Sequence, residues 1–344
     1  MARFFRTPFT LSTVAAIALV TLIIGVLVAR LFLPSTTRAS SSAPATSKKV
    51  DVIVKATDSQ FWQAMLAGSQ AAGKDWGVQV GLFGATSEAD VADQQRLVEN
   101  SLSRNVDAIV LAASSSQALN SVIDRARKQN IKVITVDTKV TTGSDGFIGT
   151  DNQKAGLQAA DRMAELLQKK GVTSGDVLIE SSVAGVQSLT DRDSGFQNEL
   201  KSRFPGLTVK AHRYNNNDTP TALSQVNDAL SADSNLVGIY ADNNVSADGA
   251  AQSLQENKAA DRVVAVGFDS DPQEIGALKN SSLKALVVQN PYYFGYQGVV
   301  AAAMSAQGRF APPALDPGAV LVDSTNMNTP EMQKLLNPPT TKGK

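Results

Sequence analysis

The sequence predicts an α/β protein with two doubly wound parallel-sheet lobes, and three observations carry that prediction. From Val50 onward, short β-branched runs alternate with amphipathic stretches, the pattern of strand, helix, strand with helices on both sheet faces. Runs such as VVAVGF and AIVLAA are apolar without alternation, as strands covered on both faces are. About nine such runs are too many for one small sheet, so two half-chains of roughly 110 residues each carry their own.

In chain order the strand candidates are VDVIVKA, VQVGLF, DAIVLAA, IKVITVD, DVLIES, LTVKAH, LVGIYA, RVVAVGF and KALVVQ. Residues 61–76 read as a helix with Phe61, Ala64, Met65, Gly68 and Ala72 on one face. Residues 152–170 read as another, carrying Ala155, Ala159, Met163 and Leu166. The first boundary between half-chains falls near Thr150 and Asp151, after the short GFIGT segment. From Asn326 the chain is rich in Pro, Thr and Lys, and this tail, 326–344, is expected to fray.

The charges balance, with 32 basic and 32 acidic residues in 344. That argues against a nucleic-acid binder relying on a large positive excess. There is no cysteine, which removes disulfides, zinc–thiolate sites and thiol catalysis. The single histidine, His212, excludes multi-histidine metal sites and is expected at the surface, where it ends a strand. At the N-terminus, Arg3 and Arg6 precede an apolar run at 11–29 that no charge breaks until Arg30. The run is close to the roughly 20 residues that span a bilayer, and longer than the apolar core of a cleaved export signal, about 7–15 residues. A Ser-, Thr- and Ala-rich tether follows at 35–49, with small-residue cleavage sites around 37–39 and 43–45. Cleaved signal and uncleaved anchor therefore both stand for segment 1–49. Either puts the body outside the cytoplasm, because the arginines stay inside.

Four polar side chains close predicted strands: Asp137, Asn243, Asp269 and Gln289. The carboxyl ends of strands in a doubly wound sheet are where small ligands bind. No G-x-G-x-x-G follows the first strand, and neither a Walker A sequence nor a Gly-x-Ser-x-Gly elbow occurs. The segment DNNVSADG departs from a calcium loop in its late glycine and its missing acid at position twelve. With no nucleophile, metal or cofactor cradle to assemble, the chain reads as a binder, not an enzyme, and needs no cofactor. Phe61 and Trp62 enter a helix after the first strand. Their two readings are core packing and stacking against the apolar face of a sugar. Lys55 interrupts a buried strand near its end, where an ammonium needs a partner or solvent. Asp137 or Asp269 would offset it.

Six segments, in order, carry a family likeness: DSQFW, ITVD, IGTDNQKAG, TDRDSGFQ, AVGFDSDP and VVQNPYYFGY. Together they resemble the ribose-binding-protein branch of type I periplasmic sugar-binding proteins, from about Val50 to Val322. The resemblance implies two α/β lobes joined by three hinge crossings, here near 150–151, 289–290 and 321–322. Lobe 1 is then 50–150 with 290–321, and lobe 2 is 151–289 with 322–325. It implies a sugar site of Phe61, Trp62, Asp137, Asn243, Asp269 and Gln289, with four positions altered. Ser59 and Asn217 stand where an asparagine and an aromatic are usual, and Thr138 and Thr190 replace two arginines. Losing two charge-assisted donors costs about 1.5–3 kcal/mol each, which argues against D-ribose itself. A second likeness, to the branch binding furanosyl autoinducers, shares a lysine at Lys55 and an acidic contact at Asp191.

The resemblance further implies a monomeric, extracytoplasmic solute-binding protein that delivers a sugar to an ABC transporter permease, or else presents a sugar or furanosyl signal to a membrane sensor. An uncleaved N-terminal segment would also attach it to the membrane. Sugar-responsive repressors share the ligand-binding fold, but they need an N-terminal helix-turn-helix where this chain has an apolar span.

Overall fold

The nine apolar runs become strands, joined by three shorter ones, in a computed structural model that describes residues 47–341. The apolar run at 11–29, with its signal and anchor readings, lies outside the described residues. Among those described, no helix is long and apolar enough to cross a membrane.

The first lobe opens with β1 (Lys49–Val54), α1 (Gln60–Trp76), β2 (Gln79–Gly84) and α2 (Val91–Ser103). It continues through β3 (Ala108–Leu111), α3 (Asn120–Lys128), β4 (Lys132–Val136) and β5 (Gly146–Ile148). The second lobe contains α4 (Asn152–Lys169), β6 (Gly175–Ser181), α5 (Gln187–Arg203), β7 (Leu207–Tyr214) and α6 (Thr219–Ala232). After these come β8 (Leu236–Ala241), α7 (Asn244–Glu256), β9 (Val264–Phe268), α8 (Pro272–Lys279) and β10 (Ala285–Val288). The chain returns to the first lobe for α9 (Pro291–Ala306) and β11 (Ala314–Leu315). It ends on the second with β12 (Val320–Asp323) and α10 (Pro330–Leu336).

Each lobe has one six-stranded sheet, ordered β2-β1-β3-β4-β5-β11 and β7-β6-β8-β9-β10-β12. All neighbours are parallel except β12, which runs antiparallel to β10. In both sheets the order reverses beside the first strand, at β1/β3 and at β6/β8. Crevices outside such reversals are where doubly wound sheets take ligands. The inner strands β3, β9 and β10 are apolar and buried throughout, because helices cover both faces. In β1, Val52 and Val54 enter one core cluster and Ile53 the opposite one, the two-residue alternation of a pleated strand.

Three passages connect the lobes, at 149–151, 289–290 and 316–319. The third precedes the 321–322 position expected from sequence, because Leu321 and Val322 already pair with Val287 and Leu286 in the second sheet. The expected fraying from Asn326 also needs correction. Met327, Met332 and Leu336 are buried in a second-lobe core cluster, so apolar burial holds α10 in place despite a Pro- and Thr-rich composition.

Two helix pairs approach backbone to backbone through glycines. A Cβ on Gly295 of α9 would lie 1.9 Å from the Met65 carbonyl of α1, and one on Gly156 of α4 would lie 1.9 Å from the Arg192 carbonyl of α5. Gly156→Ala should therefore lower stability by about 1–3 kcal/mol through overpacking, read as an earlier urea midpoint. An unchanged midpoint would contradict this close approach.

Candidate functional site

The loops following the strand ends of both sheets face one another across the cleft. Lys55 follows β1, Asp137 follows β4, Asn243 lies just beyond β8, Asp269 follows β9 and Gln289 follows β10. Asp137 and Asp269 are built by the same local device. Their backbones are left-handed, with φ of 61° and 80°, a conformation that Asp tolerates better than most residues. The N–H of each donates at 2.9 Å to the next strand, Asp137 to the Ile148 carbonyl and Asp269 to the Val287 carbonyl.

These residues line a narrow chamber with Phe61, Trp62, Glu88, Ser188, Leu189, Arg192 and Asn244. Lys55 Nζ lies 2.8 Å from Asp137 Oδ2, with both side chains buried, and 5.5 Å from the Trp62 ring centroid. Phe61 and Trp62 meet edge to face at 4.7 Å. Both are buried in the first-lobe core cluster, and both also line the chamber. The Trp62 indole N–H donates to Glu88 Oε1 at 2.7 Å.

Arg192 is 3% exposed, and each of its three nitrogens donates a hydrogen bond. Its Nε donates to Asn152 Oδ1 at 2.9 Å, one terminal nitrogen to the Asp242 carbonyl at 2.7 Å, and the other to Gln289 Oε1 at 2.7 Å. The guanidinium lies 3.7 Å from the Phe268 ring centroid. Gln289 Nε2 in turn donates to Thr150 Oγ1 at 2.8 Å.

The two opposed aspartates are shifted in opposite directions. Burial works against ionisation of Asp137, but the Lys55 and Arg192 cations, with hydrogen bonds from Lys55 and Thr138, outweigh it and hold the carboxyl below its ordinary range. Burial raises Asp269; Arg192 opposes it and Asp271, Asp137 and Glu88 add to it, so the group is pushed up to about 7. Asp269 Oδ1 is buried without a hydrogen-bond partner among the described residues. Glu88 is also raised, by burial that Lys55 and the Trp62 N–H only partly offset. The chamber thus offers an anionic acceptor, a carboxyl able to donate or accept near neutral pH, the Asn243 amide and two aromatic rings. That set suits an uncharged molecule with hydroxyls on its edge and an apolar face.

Of the residues expected from sequence, Lys55, Phe61, Trp62, Asp137, Asn243, Asp269 and Gln289 come together in this chamber. Four do not line it. Ser59 caps α1, its Oγ accepting from Trp62 N at 3.5 Å. Thr138 sits behind Asp137, donating to Oδ2 at 2.8 Å and meeting Ser188 Oγ of the other lobe at 3.0 Å. Thr190 is exposed on α5, its hydroxyl turned back to the Val186 carbonyl at 3.2 Å. Asn217 is half-buried and accepts from Ser182 Oγ at 3.0 Å. Asp191 faces an open groove along the first and third passages, where Gln187 donates to it at 2.8 Å. This groove encloses more space than the chamber, but the buried ion pair, the orphaned carboxyl oxygen and the ring pair all lie in the chamber. His212 is outside it, with Nε2 3.0 Å from Asp193 Oδ2.

Arg192 and Glu88 escaped the sequence reading. An arginine in register with Leu189, Phe196 and Leu200 on α5, all buried, is a charge on an apolar stripe, and that was a usable signal. Glu88 lies in the β2–α2 loop, where no periodicity marks it.

Two facing α/β lobes, three passages and a polar chamber at the strand ends define a small-molecule binding protein. The comparisons agree. Residues 50–310 match the periplasmic binding protein domain, and the chain belongs to that family. The D-allose-binding periplasmic protein of Escherichia coli is 28% identical over 282 residues, covering 79% of this chain and 89% of its own. A ribose import binding protein of Bacillus subtilis is 24% identical, covering 76% and 83%. A carbohydrate-transporter solute-binding protein from Agrobacterium radiobacter, solved with D-arabinose, superposes with a TM-score of 0.83 at 36% identity, covering 85% of this chain and all of the other. One from Agrobacterium vitis, solved with D-fucose, gives 0.80 at 33%, covering 84% and all of the other. The chain is therefore a sugar-binding member of the ABC-transporter solute-binding proteins, not an enzyme, and membership implies a periplasmic location.

Two outcomes follow for the buried charges. Lys55→Met leaves Asp137 charged and unpaired, and should cost about 3–5 kcal/mol in a denaturant titration, whereas Lys55→Met with Asp137→Asn should cost much less. Equal losses would show that the two groups are not coupled. For Asp269, a folded-state pKa near 7 against an ordinary 3.8 means the native state binds the proton more tightly. Its stabilisation is full below about pH 4 and lost as pH rises through about 7. Unfolding free energy should thus fall across that window in the parent more than in Asp269→Asn, and parallel curves would contradict the raised value.

Proposed function

We propose that the chain binds one neutral monosaccharide between its lobes and hands it to an ABC transporter permease. The observation that carries this reading is the opposed pair Asp137 and Asp269, at matching strand ends of the two lobes, with Phe61 and Trp62 beside them. In this reading the carboxyls and the Asn243 amide bond hydroxyls, and the rings cover an apolar sugar face. Asn217 and Thr138 support these groups from behind. Gln289 acts at the second passage as well as at the ligand. Lys55 and Arg192 bring cations to a site that lacks arginines at Thr138 and Thr190, and that substitution favours a sugar other than D-ribose. Should the run at 11–29 stay uncleaved, it would keep the binder beside its permease and raise its effective concentration there.

Calorimetry with D-allose, D-arabinose, D-fucose and D-ribose tests the reading. At least one sugar should bind more tightly than about 1 mM, with Asp269→Ala and Gln289→Ala each weakening it at least about tenfold, roughly 1.4 kcal/mol. Unchanged affinity in both variants would sink the site assignment, and silence from all four sugars would count against a monosaccharide ligand.

A further inference from the structure

Helix α10 packs on lobe 2, yet the five residues after it cross to lobe 1. Leu336 is fully buried in the second-lobe core, and its carbonyl accepts from Gln60 Nε2 of α1 at 3.5 Å. Further on, the Thr341 hydroxyl donates to Gln63 Oε1. Gln63 is itself buried, and its Nε2 donates at 2.6 Å to the Thr57 carbonyl, so the tail grips a side chain that fixes the β1–α1 loop. Between these points, Pro338 lines a small crevice whose other walls include Gln60 and Phe61 of lobe 1 and Asp269 and Gln289 of lobe 2. Phe61, Asp269 and Gln289 also line the sugar chamber.

We propose that residues 337–341 form a strap that holds the two lobes in their closed arrangement. The three chain passages are covalent on both sides and survive opening. Among the described residues the strap is joined covalently only to lobe 2 and reaches lobe 1 through hydrogen bonds and the Pro338 contact, so lobe separation must break it. Its sequence, Asn-Pro-Pro-Thr-Thr, suits the task, because two successive prolines have fixed φ and little conformational freedom to lose on docking. The strap works beside a direct contact between lobes, the Gln60 N–H donating to Asp271 Oδ2 at 3.3 Å. A second direct contact lies elsewhere on the interface, where the Gln187 N–H donates to Ser116 Oγ at 3.1 Å.

That second contact makes the proposal testable without a ligand. Hydrogen exchange is followed at the Gln60 and Gln187 amides in the full chain, in a chain ending at Asn337 and in Thr341→Val. Loss of the strap should speed both amides at least about fivefold, and Thr341→Val should speed both about twofold. Amides of β3 and β9 should be unchanged. Acceleration at Gln60 alone would mean that the tail only braces its own neighbourhood, and no acceleration would mean that it does nothing; either overturns the strap. If the shortened chain also loosens β3 and β9, Thr341→Val decides on the same criterion.

Discussion

A guanidinium almost without access to water must be satisfied on every side, since a buried unpaired charge costs several kcal/mol. Arg192 meets that requirement by gathering groups from far apart in the sequence. It binds Asn152 beside the first passage, the Asp242 carbonyl beyond β8 and Gln289 at the second passage, and it rests on Phe268 at the end of β9. Through Gln289 it also reaches Thr150. The positions of three strand ends and two passages are thus conditions for solvating one side chain. Its charge also acts on both aspartates of the chamber, helping to hold Asp137 ionised and restraining the upward shift of Asp269.

Around this centre the cleft is made of two copies of one turn. In each lobe a strand ends on an aspartate with positive φ, whose N–H is held by the following strand. Backbone in that region is unfavourable for a residue with a side chain, by about 1–3 kcal/mol, and persists because the sheet fixes it on both sides. The result is a carboxyl whose direction is set by backbone geometry rather than by a free side-chain rotation. The copies then diverge through their neighbours. Lobe 1 supplies Lys55 against Asp137, while among the described residues no cation pairs with Asp269, which keeps its proton to higher pH.

The architecture was legible because inner strands covered on both faces are short apolar runs, set between amphipathic helical stretches. The polar strand ends were legible for the same reason: Asp137 and Asp269 stop apolar runs abruptly. Short strands left weaker traces. GFI, AL and VLVD are too brief for periodicity, and β12 was read across rather than found, which displaced the third passage by several residues. Thr190 shows the limit of reading a site by position in a motif. About one turn of helix separates it from Val186, and its hydroxyl turns back to that carbonyl, while Arg192, two residues on, lines the chamber. The tail escaped because composition describes solvation, whereas α10 is held by Met332 and Leu336, two apolar residues among many polar ones.

Neither lobe is a continuous stretch of chain. The first sheet is complete only when β11 pairs with β5, joining Ala314 to Phe147, and its main helix pair needs α9 to meet α1. The second needs β12 and α10. Loop closure over such separations is slow because its entropy is lost before the contacts repay it. A growing polypeptide therefore cannot finish one lobe and move on to the next. Both sheets are completed only by the segment beyond residue 310, through β11 on the first and β12 on the second.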